Sequence, residues 1–191
     1  MAGVNYGAYH LADNPNIYSP ARSNNFEFIV QGLDENLLRA GTSVQDQDSI
    51  IKNAQKIIRF SVDKTRVPHF AQETITIKRG NSTVKFAGAV SFDEGSLTVN
   101  DYIGADAKSV LMAWQNLSYD VVHDTINSNA AAYKKECMLV EYTPDYKLIR
   151  KWKMYGCWVS KIDEGEFDMN NADKRTITAT IQYDKAVPDY D

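Results

Sequence analysis

Thr176-Ile177-Thr178-Ala179-Thr180-Ile181-Gln182-Tyr183 is the most regular stretch of this 191-residue chain. Its period of two puts Ile177, Ala179, Ile181 and Tyr183 on one side of a strand, and three threonines with Gln182 on the other. Two further runs precede it between Tyr133 and Tyr183. Glu136 to Tyr142 ends at Thr143-Pro144-Asp145, where proline fixes φ and withdraws a backbone donor, which predicts a hairpin. Leu148 to Tyr155 follows, alternating so that Trp152 and Met154 share one face while Lys151, Lys153 and Tyr155 share the other. Three such runs joined by turn chemistry describe a scaffold of strands.

Working back from this block, residues 1–24 are rich in Asn, Tyr, Gly and Pro without periodicity and read as an N-terminal arm. Asn25 to Val30 predicts a first strand with Phe26, Phe28 and Val30 on one face, ended by Gly32. Ile50, Ile51, Ala54, Ile57 and Ile58 recur at three- and four-residue intervals, the spacing of a short amphipathic helix. Phe60 and Val62 then open a strand that stops near Val67-Pro68. Thr74 to Lys78 and Val84 to Ala87 flank Arg79-Gly80-Asn81 as a second hairpin, and Ser96 to Val99 adds a strand. Val110, Leu111, Trp114 and Leu117 form one face of the strongest helix, Ala105 to Leu117, after which 116–132 is a polar connection. Strands, helix, strands favours a mainly β chain over a parallel α/β fold. The reading is an antiparallel β-sandwich or partial barrel with one packed α-helix and an additional short helix. It makes 25–185 a single domain, with an inserted loop and helix over 33–58 and a C-terminal tail over 186–191.

Composition sets the class. A chain with 43% hydrophobic and 24% charged residues can bury about two-thirds of its unfolded surface without staples. Its 11 tyrosines and 7 phenylalanines suit strands and subunit contacts. A formal charge of −4 offers no bulk attraction to nucleic acid or an anionic membrane. Met1 to Asn16 lacks the basic start and apolar core of a signal peptide, and no run approaches the length of a membrane span. Cys137 and Cys157, on separate predicted strands, read as buried small side chains in preference to a disulfide.

The search for chemistry finds little. His10, His69 and His123 are scattered over loops without metal-ligand spacing, so no cofactor or metal is expected. No phosphate loop and no GxSxG is present, and Gly80, Gly88 and Gly95 follow hairpin positions instead of opening a helix. Asp163-Glu164-Gly165-Glu166-Phe167-Asp168 departs from EF-hand spacing and reads as a solvated acidic turn. The sharpest alternative is a nucleic-acid-binding β-protein using 147–155, a basic strand with interleaved aromatics. Alternation opposes it by sending Trp152 away from Lys151 and Lys153. Those lysines could instead face a neighbour's acidic turn, and Lys134 and Lys135 complement Asp163 and Glu164 for contacts between identical subunits.

An ordered set of short motifs is more telling. Asn25-Phe26-Glu27-Phe28, the Val67-Pro68 stop and its hairpin come first. Gly88, Phe92-Asp93, Leu97-Thr98-Val99, Asn100-Asp101 and Trp114 follow. Tyr133-Lys134-Lys135, Tyr142, the Gly156 and Trp158 turn into Ser160-Lys161, and the Thr-Ile alternation ending at Tyr183-Asp184 close the set. Over about residues 24–185 this resembles the tail tube proteins of contractile-tailed bacteriophages, with the amphipathic helix between Gly32 and Arg59 as a departure.

The resemblance implies a non-enzymatic structural protein of the virion tail, assembled in the bacterial host cytoplasm. Its copies would join in hexameric rings whose strands complete a β-barrel around a channel, and the rings would stack inside a contractile sheath for genome ejection. Partners would be further copies and the tail sheath, tape measure, baseplate and tail terminator proteins, with DNA only in transit and no membrane. A tube subunit of a phage-tail-like toxin-delivery device is a related reading. On this view Thr176, Thr178, Thr180 and Gln182 line the channel, and the acidic chain repels passing phosphates. Pro68, Ile75 and Ile77 belong to a segment suited to ring stacking.

Overall fold

A computed structural model describes residues 20–34, 53–104, 106–170 and 172–189. Most of the arm, His10, and the helix positions Ile50 and Ile51 lie outside the described residues. In chain order the elements are β1 (Phe26–Gln31), α1 (Ala54–Ser61), β2 (Val62–Thr65), β3 (Phe70–Arg79), β4 (Ser82–Phe92), β5 (Gly95–Asn100) and α2 (Ala107–Asn116). They continue as β6 (Tyr119–Asp120), β7 (Thr125–Ile126), α3 (Ala130–Tyr133), β8 (Lys135–Tyr142), β9 (Leu148–Asp163), β10 (Thr176–Gln182) and β11 (Lys185–Asp189).

Burial along β10 alternates as its sequence does, with Ile177, Ala179 and Ile181 in the core and the threonines half-buried. It pairs antiparallel with β5 on one side and with β9 on the other. A seven-stranded sheet runs β1-β8-β9-β10-β5-β2, with β11 also on β9. All its pairings are antiparallel, and β1 and β2 leave it open.

The 16-residue β9 serves both halves of this sheet. Its first part pairs with β8 and β11, its last part with β10. The change falls at Gly156, whose φ of +71° lies in the left-handed region. A Cβ there would also overlap the Asp184 carboxylate, while the Asp184 amide donates to the Tyr155 carbonyl at 2.9 Å. Two strands therefore turn the same corner side by side, and only glycine fits the inner one.

The core lies between the two halves. Phe28, Val30, Leu139, Met154, Leu97, Val99, Val159 and the β10 residues meet Val110, Leu111 and Trp114 of α2. Trp114 is buried, and its indole N–H donates to the Tyr133 carbonyl at 3.0 Å, which satisfies the ring's one polar atom. Asp106 caps α2, its carboxylate accepting from the Ser109 amide at 2.8 Å. In α1, the Gln55 amide finds its acceptor in Asp34 at 2.8 Å, so the two described ends of the 33–58 insertion are tied together. Arg59 then forks onto Glu27 of β1 at 2.8 to 3.1 Å.

Several boundaries differ from the sequence reading. Helix α1 continues through Phe60, which is exposed and so carries no strand-like alternation. Residues 116–132 contain the short β6–β7 ladder and the start of α3. Much of the expected C-terminal tail is strand β11, and Pro188 is accommodated because β11 pairs on one side alone among the described strands. Cys137 and Cys157 are free and buried, and burial pushes the Cys137 thiol well up, assisted by the neighbouring Cys157.

Candidate assembly surfaces

The sequence nominated residues on four surfaces. The first is the polar face of the half-sheet β2-β5-β10-β9. Direct cross-strand partners share a face, so Thr178 stands with Thr98 and Asp163, Thr180 with Ser96 and Lys161, and Thr98 with Lys64. Thr178 and Thr98 exchange a hydroxyl hydrogen bond at 3.2 Å, and at one end the Gln182 amide donates to Glu94 at 2.9 Å. The structure thus brings Thr176, Thr178, Thr180 and Gln182 onto one half-buried surface. The face carries both signs: Lys161 stands two residues from Asp163 on β9, and Lys64 lies at the other edge, on β2.

The second is the basic strand. Lys151 and Lys153 point away from the core, on the face opposite Trp152 and Met154. Both ammonium groups lie 2.8 Å from the Asp189 carboxylate of β11, and they hold its pKa down at about 2. Their charge is met inside the chain, which weakens this strand as a phosphate-binding surface. Asp189 carries no sequence signal of its own, because it lies in the short segment 186–191 after the last regular period.

The third is the suggested pairing of Lys134 and Lys135 with Asp163 and Glu164. Lys134 binds Asp184 at 2.7 Å beside the Gly156 corner. Lys135 is buried opposite Cys157. Glu164 accepts from Lys108 at 2.6 Å and Arg175 at 3.2 Å, and Asp163 accepts from the Gly165 amide at 3.1 Å. Lys134, Asp163 and Glu164 thus each have a partner within one copy.

The fourth is the β3–β4 hairpin. Ile75 lies opposite Phe86 and Ile77 opposite Val84, so four apolar side chains share one face, and all four are exposed. Every residue of β3 is exposed. Pro68, nominated with this segment, is buried. At the root, His69 sits 2.7 Å from Asp93, and the rings of Phe70, Phe92 and Tyr183 follow one another at 6.0 Å. Val84 and Phe86 were read as strand residues, and only the register shows that they extend the face of Ile75 and Ile77.

Among the described residues no His, Cys, Asp and Glu cluster could hold a metal ion. No helix in them is long and apolar enough to cross a membrane. What stands out among the described residues is an open sheet and an uncovered apolar hairpin. A family model described as "T4-like virus tail tube protein gp19" matches residues 24–187. The chain belongs to this family. It is a structural tail tube protein, a component of the virion tail. The tail tube protein gp19 of Enterobacteria phage T4 is 25% identical over 127 residues, covering 65% of this chain and 78% of that protein.

The tail tube fold has solved counterparts. One is the "PVC sheath-tube complex in extended state" of an extracellular contractile injection system, with a TM-score of 0.64 at 13% identity over 97% of this chain and 99% of that one. Another is the anti-feeding prophage baseplate, 6-fold symmetrised, at a TM-score of 0.59 and 10% identity over 88% and 95% of the two chains. At such identities these two establish the fold.

Proposed function

We propose that copies of this tail tube protein close into hexameric rings through the edges of the half-sheet β2-β5-β10-β9, and that the rings stack into the conduit for DNA ejection. The observation that carries this reading is strand polarity. Four strands alternate in direction, so β2 and the last part of β9 run antiparallel. Under rotational symmetry the β2 of one copy can add to the β9 of the next in the same antiparallel sense, and the ring leaves neither edge of this half-sheet exposed. The Thr178 and Thr180 face then forms the channel wall. Its mixed charge and hydroxyls offer passing DNA no uniform basic track, the feature that retains phosphates.

The 6-fold baseplate and the sheath-tube complex among the structural neighbours support a hexameric ring inside a sheath. Tape measure, baseplate and terminator proteins would meet the ends of the tube. Negative-stain microscopy of the purified protein tests the reading: rings or tubes with a central hole are expected. A stable monomer that shifts single-stranded DNA would overturn it in favour of a nucleic-acid-binding protein.

A further inference from the structure

Strands β1 and β2 are the two ends of the seven-stranded sheet, and a cleft of about 300 Å³ lies between them. Phe26 of β1, Leu139 of β8 and Val67 beyond β2 give it apolar walls, while Thr65, Glu141 and Arg22 give it a polar rim. Leu139 is buried, Phe26 packs against the core, and Val67 is 47% exposed. The cleft therefore runs from the surface down to the edge of the core. An apolar concavity rimmed by a few polar groups is the usual form of a binding site.

This cleft stands where the N-terminal arm joins the fold. Arg22 and Ser23 both line it, and the Asn25 amide, donating to the Arg22 carbonyl at 3.3 Å, closes the turn that leads from them into β1. The arm lies ahead of the family match, which begins at residue 24. Just before the cleft the sequence reads Asn16-Ile17-Tyr18-Ser19-Pro20. Ile17 and Tyr18 are the large apolar residues nearest to it along the chain, and Ser followed by Pro is a turn signal. Only Ser19, Pro20 and Ala21 separate Tyr18 from Arg22. A tether this short holds Tyr18 beside the cleft at high effective concentration, which the arm of a free copy must match from solution.

We infer that the arm folds back at Ser19-Pro20 and seats Tyr18 in the cleft of its own copy, with the ring against Phe26, Val67 and Leu139 and the hydroxyl donating to Glu141. Tyrosine suits the site because it joins an apolar body to one polar tip, as the cleft joins apolar walls to a carboxylate at the rim. Seated there, the arm caps the core between β1 and β2, and it does so without any other copy. The inference is independent of the ring reading.

Disulfide trapping in the full-length protein tests it, since the native Cys137 and Cys157 are buried. Tyr18→Cys with Val67→Cys should close within one chain on mild oxidation with diamide. Tyr18→Cys with Ile103→Cys, a fully exposed position outside the cleft, should not. As a second readout, Tyr18→Ser should lower the melting temperature by about 2–4 °C, and by less than half as much in a Val67→Ser background, where the contact is already weakened. Cross-links between chains would overturn the inference in favour of a neighbour's arm. It would equally be overturned by no cross-link in the cleft pair, by equal cross-linking of both pairs, or by a Tyr18→Ser variant that melts as wild type does or loses as much in both backgrounds.

Discussion

The strands β3 and β10 carry nearly the same words, Thr74-Ile75-Thr76-Ile77 in one and Thr176-Ile177-Thr178-Ala179 in the other. In β10 the isoleucines are wholly or nearly buried beneath α2 and the opposing half-sheet. In β3 the same residue type lies open, with Ile75 52% and Ile77 46% exposed. Alternation therefore specifies a face and not what covers it. For β10 the cover is in the same chain. For β3 no cover is present among the described residues, and an exposed apolar face of this kind marks an interaction site.

A matched pair of substitutions breaks this comparison most sharply. Ile181→Asp places an unpaired carboxylate in the core and should cost about 4 kcal/mol or more, leaving no soluble folded protein. Ile77→Asp should change stability by about 0.5 kcal/mol or less, yet abolish tubes. Thr180→Asp, on the other face of β10, should keep the fold. Soluble yield and thermal melts separate these outcomes. Equal yields of the Ile181 and Thr180 variants would remove the face assignment, and an unfolded Ile77 variant would show that the hairpin is part of the core.

The glycines of the two regions sharpen it further. Gly80 at the hairpin turn and Gly156 at the corner both have positive φ, at +59° and +71°. Alanine at either carries about 1–2 kcal/mol of backbone strain. At Gly80 a Cβ meets open space, whereas at Gly156 it meets Asp184 and disturbs the ion pair with Lys134. Urea unfolding should therefore show a larger loss for Gly156→Ala than for Gly80→Ala. Equal losses would mean that the corner yields as freely as the turn.

The smallest expected effect concerns charge. Asp189, held near pKa 2 by Lys151 and Lys153, is depressed from its ordinary 3.8, so the stabilisation is present above the unfolded value and fades as pH falls from about 4 through 2. Asp189→Asn should accordingly lower the melting temperature at pH 6, and the difference from wild type should close over that window. A difference independent of pH would assign the effect to packing.

How far the fold could be read in advance follows from where each element finds its partner. β10, α2 and both hairpins were legible because each carries a clean period and local turn chemistry. β11 was not, since Lys185 to Asp189 contains a proline and few apolar residues, and it is a strand because β9 offers it an edge. Likewise the end of α1 was obscured by an exposed Phe60 that mimics the start of alternation. Of the candidate residues, those on β10 were legible from period alone. The intrachain partners of Lys134, Lys151 and Lys153 were not, because Asp184 and Asp189 come to them only through the corner at Gly156. The apolar face of the hairpin needed the register that sets Phe86 opposite Ile75, which sequence spacing leaves open.

A high-resolution cryo-EM reconstruction of the assembled tube tests the central claim most directly. The account predicts β2 of one copy hydrogen-bonded antiparallel to the last part of β9 in the next, with Thr178 and Thr180 on the channel wall. A tube in which those edges stay unpaired, or in which the threonine face lies on the outer surface, would contradict it.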